Sequence, residues 1–74
     1  MATSPSHRAG FGHRLKVLRV QRDLRQRDLA DRLGLSPSYV SLFETDDRTP
    51  TPEQVSKLCR VLGVSPSDLD GDAA

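Results

Sequence analysis

The side chains that could bind a ligand are chiefly arginines, and they are distributed unevenly along the chain. Residues 1 to 32 hold eight Arg or Lys against three Asp, a formal charge of +5, whereas residues 33 to 74 hold three against seven acids, formally −4. Guanidinium groups bind phosphate through charge and hydrogen bonds, so the basic half favours contact with a nucleic acid. The alternative is that these arginines only solvate exposed helix faces.

No arrangement of side chains predicts catalysis or a metal site. His7 and His13 are not spaced four residues apart, and the serines have no nearby base. Cys59, the single cysteine, excludes an internal disulfide and a cysteine-based zinc site, and its place in an apolar stripe favours a packing role. We therefore expect no enzyme, no cofactor and no small-molecule ligand.

The length and composition predict one small domain. Seventy-four residues are close to the lower limit for a single core without metal or disulfide. There is neither an apolar run long enough to span a bilayer nor a signal-peptide pattern. We expect a cytoplasmic protein without membrane contact, associated with the nucleoid if DNA is its partner.

The central stretch from Gln26 to Glu44 has the pattern of two short helices joined by a tight turn. Glycine suits the left-handed conformation at Gly34, and Ser36 with Pro37 suits the start of a second helix. Small or apolar residues at helical spacing would face inward, and these are Leu29, Ala30, Leu33, Val40 and Phe43. The pattern predicts a helix-turn-helix, whose second helix enters the major groove of DNA.

The rest of the chain predicts three further helices and two ends. The first helix runs from Phe11 to about Asp23, with Phe11, Leu15 and Leu18 inward and Val17 and Val20 as additional packing residues. The fourth starts at Thr51 and Pro52, buries Val55, Leu58, Cys59 and Leu62, and ends at Gly63. The fifth runs from Ser65 to Leu69. Residues 1–10 are expected to be a flexible arm, 11–69 the DNA-binding domain and 70–74 an acidic tail.

Ten residues of the central stretch together resemble the Cro and lambda-repressor type of helix-turn-helix domain, the Xre family. These are Gln26, Leu29, Ala30, Leu33, Gly34, Leu35, Ser36, Val40, Phe43 and Glu44, and the resemblance extends from about Phe11 to Leu69. It implies an all-α, compact five-helix bundle with a recognition helix at residues 37–44. It also implies a salt bridge between Arg19 and Glu44, and a phosphate contact by Gln26.

The resemblance assigns the remaining contacts by position. Residues expected to face the bases are Pro37, Ser38, Ser41 and Leu42. Residues expected to contact phosphate are Arg14, Arg19, Gln26, Arg27, Tyr39, Arg48 and Thr49. No Arg, Asn or Gln lies between Pro37 and Phe43, although these types read guanine or adenine by paired hydrogen bonds. We therefore expect few direct contacts that discriminate between bases. Pro37 and Leu42 could contact a thymine methyl group.

Two positions depart from the family pattern. Arg25 lies where Ser or Thr usually caps the second helix, and the missing cap destabilises the helix by about 1 kcal/mol. Asp28 partly offsets this loss through the helix dipole. Asp46 lies where the family commonly has glycine, and aspartate tolerates positive φ. Asp46 and Asp47 should repel phosphate unless turned away, and they could pair with Arg48.

These patterns predict a small transcriptional regulator of bacterial or phage type that binds double-stranded DNA. Useful specificity would need a homodimer on paired half-sites. The resemblance implies a dimer surface on helix five and the end of helix four, through Val61, Val64 and Leu69 where the core does not need them. The alternative function is a protein-interaction adaptor of coactivator-like or antitoxin-like type with the same fold. The weakly polar recognition helix and the two aspartates favour that alternative.

Overall fold

Five helices make up the part of the chain that the structure describes. The computed structural model describes residues 6–70, with side chains at 10–69. The helices are α1 (Ser6–Gln21), α2 (Gln26–Leu33), α3 (Pro37–Glu44), α4 (Pro52–Leu62) and α5 (Pro66–Asp70), and no strand occurs among these residues. The predicted all-α, five-helix bundle is confirmed. None of the described helices has the length and apolarity that crossing a membrane requires.

The first and last helices extend beyond their predicted limits. Helix α1 begins at Ser6 and not at Phe11, so Ser6–Gly10, which were assigned to the flexible arm, are helical. Helix α5 includes Asp70, which was assigned to the acidic tail. An already nucleated helix gains a hydrogen bond for each residue added, so its ends need no apolar periodicity. The other residues of the predicted arm and tail, 1–5 and 71–74, lie outside the described residues.

The core forms where the inner faces of all five helices meet. Most residues predicted to face inward are buried, and the core consists of Leu15, Leu29, Ala30, Leu33, Val40, Phe43, Leu58, Cys59, Leu62 and Leu69. Phe11, Leu18, Leu24 and Val55 pack against it and are partly buried. The helix-turn-helix scaffold, including Ala30 at the close crossing of α2 and α3, is therefore as predicted.

Two apolar residues of α1 are placed differently from the prediction, and the structure decides which residues near α5 the core uses. Val17 and Val20 are 38% and 54% exposed, because they lie on the side of α1 opposite Leu15. Leu69 is fully buried, so the core uses the whole side chain and none of it is left for a dimer surface. Val61 and Val64 are half-buried against the core.

Four residues in the left-handed conformation end helices or turn the chain. Gly34 and Gly63 follow α2 and α4 with φ of 74° and 71°, as predicted for helix C-termini. Asp46 has φ of 64°, which confirms that aspartate replaces glycine after α3. Asp23 has φ of 58° after α1, where no turn residue was predicted. There the Leu24 backbone N–H donates to the Arg19 carbonyl at 3.1 Å and closes the end of the helix.

The helix starts differ in how their free backbone groups are satisfied. Before α4, the Gln54 N–H donates to Thr51 Oγ1 at 3.1 Å, and the Thr51 N–H donates to Gln54 Oε1 at 2.9 Å. This reciprocal pair is a capping box. Before α3, Ser36 occupies the cap position, but its side chain makes no capping hydrogen bond, so the predicted cap is positional only.

At the start of α2, Asp28 forms one half of a capping box, although Arg25 is not a usual cap residue. Its Oδ2 accepts hydrogen bonds from the Arg25 backbone N–H at 2.9 Å and from Arg25 Nε at 3.2 Å. The backbone hydrogen bond is the main reason that the pKa of Asp28 is lowered from its usual value. Asp28 therefore acts by a direct hydrogen bond in addition to the predicted dipole effect.

The two caps give a first prediction for stability. Thr51→Ala should lower the free energy of unfolding by about 1 kcal/mol, because it removes the acceptor of the Gln54 N–H. Ser36→Ala is the matched control and should change it by less than about 0.5 kcal/mol, since the Ser36 hydroxyl caps nothing. Urea unfolding followed by circular dichroism measures both. Equal losses for the two variants would contradict the assignment.

Candidate nucleic-acid interface

A buried ion pair joins α1 to the end of α3. Arg19 Nε donates to Glu44 Oε2 at 2.6 Å, and Arg19 Nη2 donates to Glu44 Oε1 at 3.2 Å. The side chains are 10% and 4% exposed. Arg19 Nη1 also donates to the Leu24 carbonyl at 2.7 Å. The salt bridge implied by the family resemblance is confirmed, and its burial and two-point geometry make it a structural joint.

Gln26 completes this joint from the first residue of α2. Its Nε2 donates to Glu44 Oε1 at 3.0 Å. The Glu44 carboxylate therefore accepts hydrogen bonds from α1, through Arg19, and from α2, through Gln26. An amide nitrogen has two hydrogens, and the second is available beside the free N–H groups of the α2 N-terminus. Glu44 therefore orients Gln26, and the phosphate contact predicted for Gln26 stays a prediction.

Gly12 makes a close contact that the sequence analysis missed. A Cβ atom at Gly12 would lie 2.3 Å from the Glu44 carbonyl oxygen and 2.8 Å from the Phe43 carbonyl oxygen. Both distances are far below van der Waals contact, so only glycine lets α1 lie this close to the end of α3. The only signal in the sequence is a glycine near the start of an amphipathic helix.

The side chain of Asp46 is turned towards the backbone of α1. Its Oδ1 accepts a hydrogen bond from the Gly12 backbone N–H at 3.1 Å, across 34 residues of sequence. Asp47 Oδ2 accepts from Thr45 Oγ1 at 2.7 Å. Both carboxylates are thus held by donors other than Arg48, and Asp46 fastens the loop after α3 to α1.

Arg48 lies over an aromatic ring and does not pair with these aspartates. Its guanidinium carbon is 4.9 Å from the centroid of the Tyr39 ring, a cation–π contact. Tyr39 in turn packs edge-on against Phe43, with centroids 6.0 Å apart. Within residues 10–69 the ion pairs are Arg19–Glu44 and Arg25–Asp28, so the expected pairing of Arg48 with Asp46 or Asp47 is wrong. The structure instead brings two predicted phosphate contacts together.

The predicted base-contacting residues share the outer side of α3. Pro37 and Ser38 are exposed, Ser41 is half-buried and Leu42 is 37% exposed. Val40 and Phe43, on the inner side, are fully buried. None of the four outer side chains is hydrogen-bonded within the described chain, so this surface is free to meet a ligand.

The other side chains predicted to contact phosphate differ in their exposure and in the hydrogen bonds they already make. Arg14, Arg27 and Thr49 are exposed and make no side-chain hydrogen bond or ion pair with residues 10–69. Arg19 is nearly buried and already donates three hydrogen bonds, so its main role is to hold Glu44. Its phosphate contact stays a prediction that only its remaining donors could fulfil.

Arg22 makes a second long-range contact that the sequence did not reveal. Its Nε donates to the Leu62 carbonyl at the end of α4, 40 residues away. A helix C-terminus leaves carbonyls unpaired and favours cations. Arg22 thereby ties the end of α1 to the end of α4.

Solved structures with this arrangement of helices include bacterial and phage regulators. The restriction-modification controller protein C.AhdI from Aeromonas hydrophila is 33% identical, with a TM-score of 0.79 over 89% of this chain and 98% of that chain. The P22 c2 repressor, solved in complex with a synthetic operator, is 30% identical, with a TM-score of 0.78 over 84% of this chain and 96% of that chain.

Sequence comparison gives the same relationship. The chain is 32% identical over 63 residues to the transcriptional repressor RstR of the cryptic phage CTXphi from Vibrio cholerae, which covers 85% of this chain and 57% of the relative. Across its curated relatives the chain spans between 31% and 57% of their length. The family model described as helix-turn-helix matches residues 15–69. The chain therefore belongs to the helix-turn-helix family of the Cro and lambda-repressor type.

Proposed function

We propose that this protein binds double-stranded DNA in a sequence-specific manner as a transcriptional regulator of bacterial or phage type, with α3 in the major groove. The observation that carries the proposal is the Arg19–Glu44–Gln26 joint, which fixes α3 against α1 and α2 while its outer side stays free. The relatives support it, since RstR is a transcriptional repressor and the P22 c2 repressor was solved on an operator.

The phosphate contacts would frame the groove on both sides of α3. Gln26 and the α2 N-terminus would bind phosphate on one side, and Arg48, held over Tyr39, would bind it on the other. Arg14, Arg27 and Thr49 would add further backbone contacts, which position the protein without reading sequence. Pro37, Ser38, Ser41 and Leu42 would then face the base edges.

We propose a homodimer as the form that binds with useful specificity. One unit covers only a few base pairs, so two units on a two-fold site would multiply the discrimination. The half-buried Val61 and Val64 at the end of α4 and before α5 are the apolar residues available for this contact, whereas Leu69 belongs to the core. Occupancy of the site would block or recruit polymerase, at the nucleoid in the cytoplasm.

A salt titration with a matched pair of variants tests the proposal. The logarithm of affinity for duplex DNA should fall linearly with the logarithm of salt concentration, with a slope of about −0.9 for each phosphate neutralised. Arg48→Ala should weaken binding about tenfold, as expected for a hydrogen bond to a charged group, and should reduce the slope by about one phosphate. Fluorescence anisotropy measures both quantities.

The control is Arg60→Ala, which removes the same charge from an exposed position on α4, a helix that carries none of the proposed DNA contacts. It should leave the affinity within about twofold, because a distant charge is screened over roughly 8 Å at physiological salt. Equal losses for the two variants would contradict the assigned surface. If neither random nor selected duplexes bind even at low salt, the adaptor function replaces DNA binding.

A further inference from the structure

The outer side of α3 contains no group that reads a base by paired hydrogen bonds. Ser38 and Ser41 can donate or accept with almost any base. Glu44 is the only side chain within α3 that carries a charge at neutral pH, and it is buried in the joint with Arg19. Thr45, which follows α3, has its hydroxyl within hydrogen-bonding distance of both Asp47 Oδ2 and the Leu42 carbonyl. The discriminating chemistry that remains on this helix is apolar.

Leu42 presents that apolar chemistry on a fixed backbone. Its carbonyl accepts hydrogen bonds from the Asp47 N–H at 2.9 Å and the Arg48 N–H at 3.2 Å. Its neighbour Phe43 is fully buried. The side chain is nevertheless 37% exposed. The position of Leu42 is therefore set by the fold, and through the Arg48 amide it is linked to the residue expected to hold phosphate.

The apolar feature that bases display in the major groove is a methyl group. Thymine has it at C5, and cytosine and uracil have a hydrogen there. Cytosine gains the same group, at the same place, when C5 is methylated. A side chain that recognises this methyl group by burial will respond to it on either base, because the hydrophobic effect depends on apolar area and not on the base that bears it.

Resting on the proposed DNA binding, we propose that Leu42 reads the 5-methyl group of a pyrimidine, and that binding therefore responds to cytosine C5 methylation in the site. At the position facing Leu42, thymine and 5-methylcytosine are favoured over uracil and unmethylated cytosine. Ser38 and Ser41 add contacts that distinguish bases little. The protein thus senses a covalent modification of its DNA with the same leucine that contributes to choosing the site.

The test starts from a duplex selected by the protein from a random pool. Each thymine of that duplex is replaced in turn by uracil, which removes only the methyl group. We expect about a fourfold loss of affinity at one thymine in each half-site, the equivalent of burying one methyl group. At the same position, 5-methylcytosine should bind about fourfold more tightly than cytosine when both are paired with guanine.

Variants assign the effect to Leu42. In Leu42→Ala both methyl effects should fall below about twofold, since the side chain that buries the methyl group is cut back to its Cβ atom. Ser38→Ala is the matched control from the same face and should retain them in full. Circular dichroism melting of Leu42→Ala checks that the exposed substitution leaves the fold intact.

The outcomes separate this inference from the proposed function. A selected duplex in which no uracil substitution weakens binding overturns the reading by Leu42 and leaves DNA binding standing. Methyl effects of equal size in the wild-type protein and in Leu42→Ala also overturn it, because they would then arise from Pro37 or from DNA shape. Failure to enrich any duplex from the pool removes the proposed function and this inference with it.

Discussion

Glu44→Ala should lower the free energy of unfolding by about 3–5 kcal/mol, the range for removing one partner of a buried ion pair. The Arg19 side chain, which is 10% exposed in the intact pair, would lose its carboxylate partner, and Gln26 would lose its acceptor. For a domain of this size, each kcal/mol lowers the melting temperature by about 4–8 °C. Thermal and urea unfolding by circular dichroism measures the change, and an unchanged melting temperature would refute the role of Glu44.

Two further variants define what the carboxylate contributes. Glu53→Ala, which removes an exposed acid from the first turn of α4, should cost less than about 1 kcal/mol through the helix dipole. Replacing both partners, Arg19→Met with Glu44→Met, should restore much of the stability lost in Glu44→Ala, because no unpaired charge stays buried. The double variant should still bind DNA poorly, since Gln26 is no longer oriented. Full DNA affinity in the double variant would show that the joint serves stability alone.

Gly12→Ala should destabilise the fold by about 1–3 kcal/mol, the usual cost of overpacking. Alanine would favour the helix by about 1 kcal/mol, but its Cβ would lie 2.3 Å from the Glu44 carbonyl oxygen and 2.8 Å from the Phe43 carbonyl oxygen. Neither backbone atom can move without displacing the end of α3. The affinity for selected DNA should therefore fall together with the stability.

Gly10 offers a matched control on the same helix. A Cβ there would meet only Arg14 Nε, at 3.7 Å, which is ordinary contact. Gly10→Ala should therefore stabilise the protein by up to about 1 kcal/mol through helix propensity. Urea unfolding of the two variants should thus give changes of opposite sign. Stabilisation by both substitutions would show that α1 and α3 can separate at little cost.

The scaffold could be predicted because it depends on local spacing. Leu29 and Leu33 on α2, and Val40 and Phe43 on α3, lie at helical intervals, and Gly34 marks the turn between the two helices. Each of these signals is confined to a few residues. Contacts between distant segments give no such signal. The Gly12 contact with Glu44 depends on where two helices cross, and the hydrogen bond of Arg22 to the Leu62 carbonyl depends on where two helices end.

In the candidate site, too, contacts between distant residues could not be predicted from local spacing. The Arg19–Glu44 pair was implied by the family resemblance and not by the residues themselves, which are 25 positions apart. The expected pairing of Arg48 with a neighbouring aspartate was wrong, because charge and proximity in sequence do not reveal competing partners. Asp46 is bound to Gly12 and Asp47 to Thr45, and Arg48 lies over Tyr39 instead.

The side chains on the outer side of α3 contribute little to holding the fold together. Ser38, Ser41 and Leu42 make no side-chain hydrogen bond within the described chain, whereas Val40 and Phe43 hold the helix from the other side. Substitutions at such surface positions usually change stability by no more than about 0.5 kcal/mol. The side chains that we propose to contact the bases are therefore distinct from those that hold the fold. Under the proposed function, new target sequences would arise through these three positions without compensating changes elsewhere, and a library randomised there would retain one common backbone.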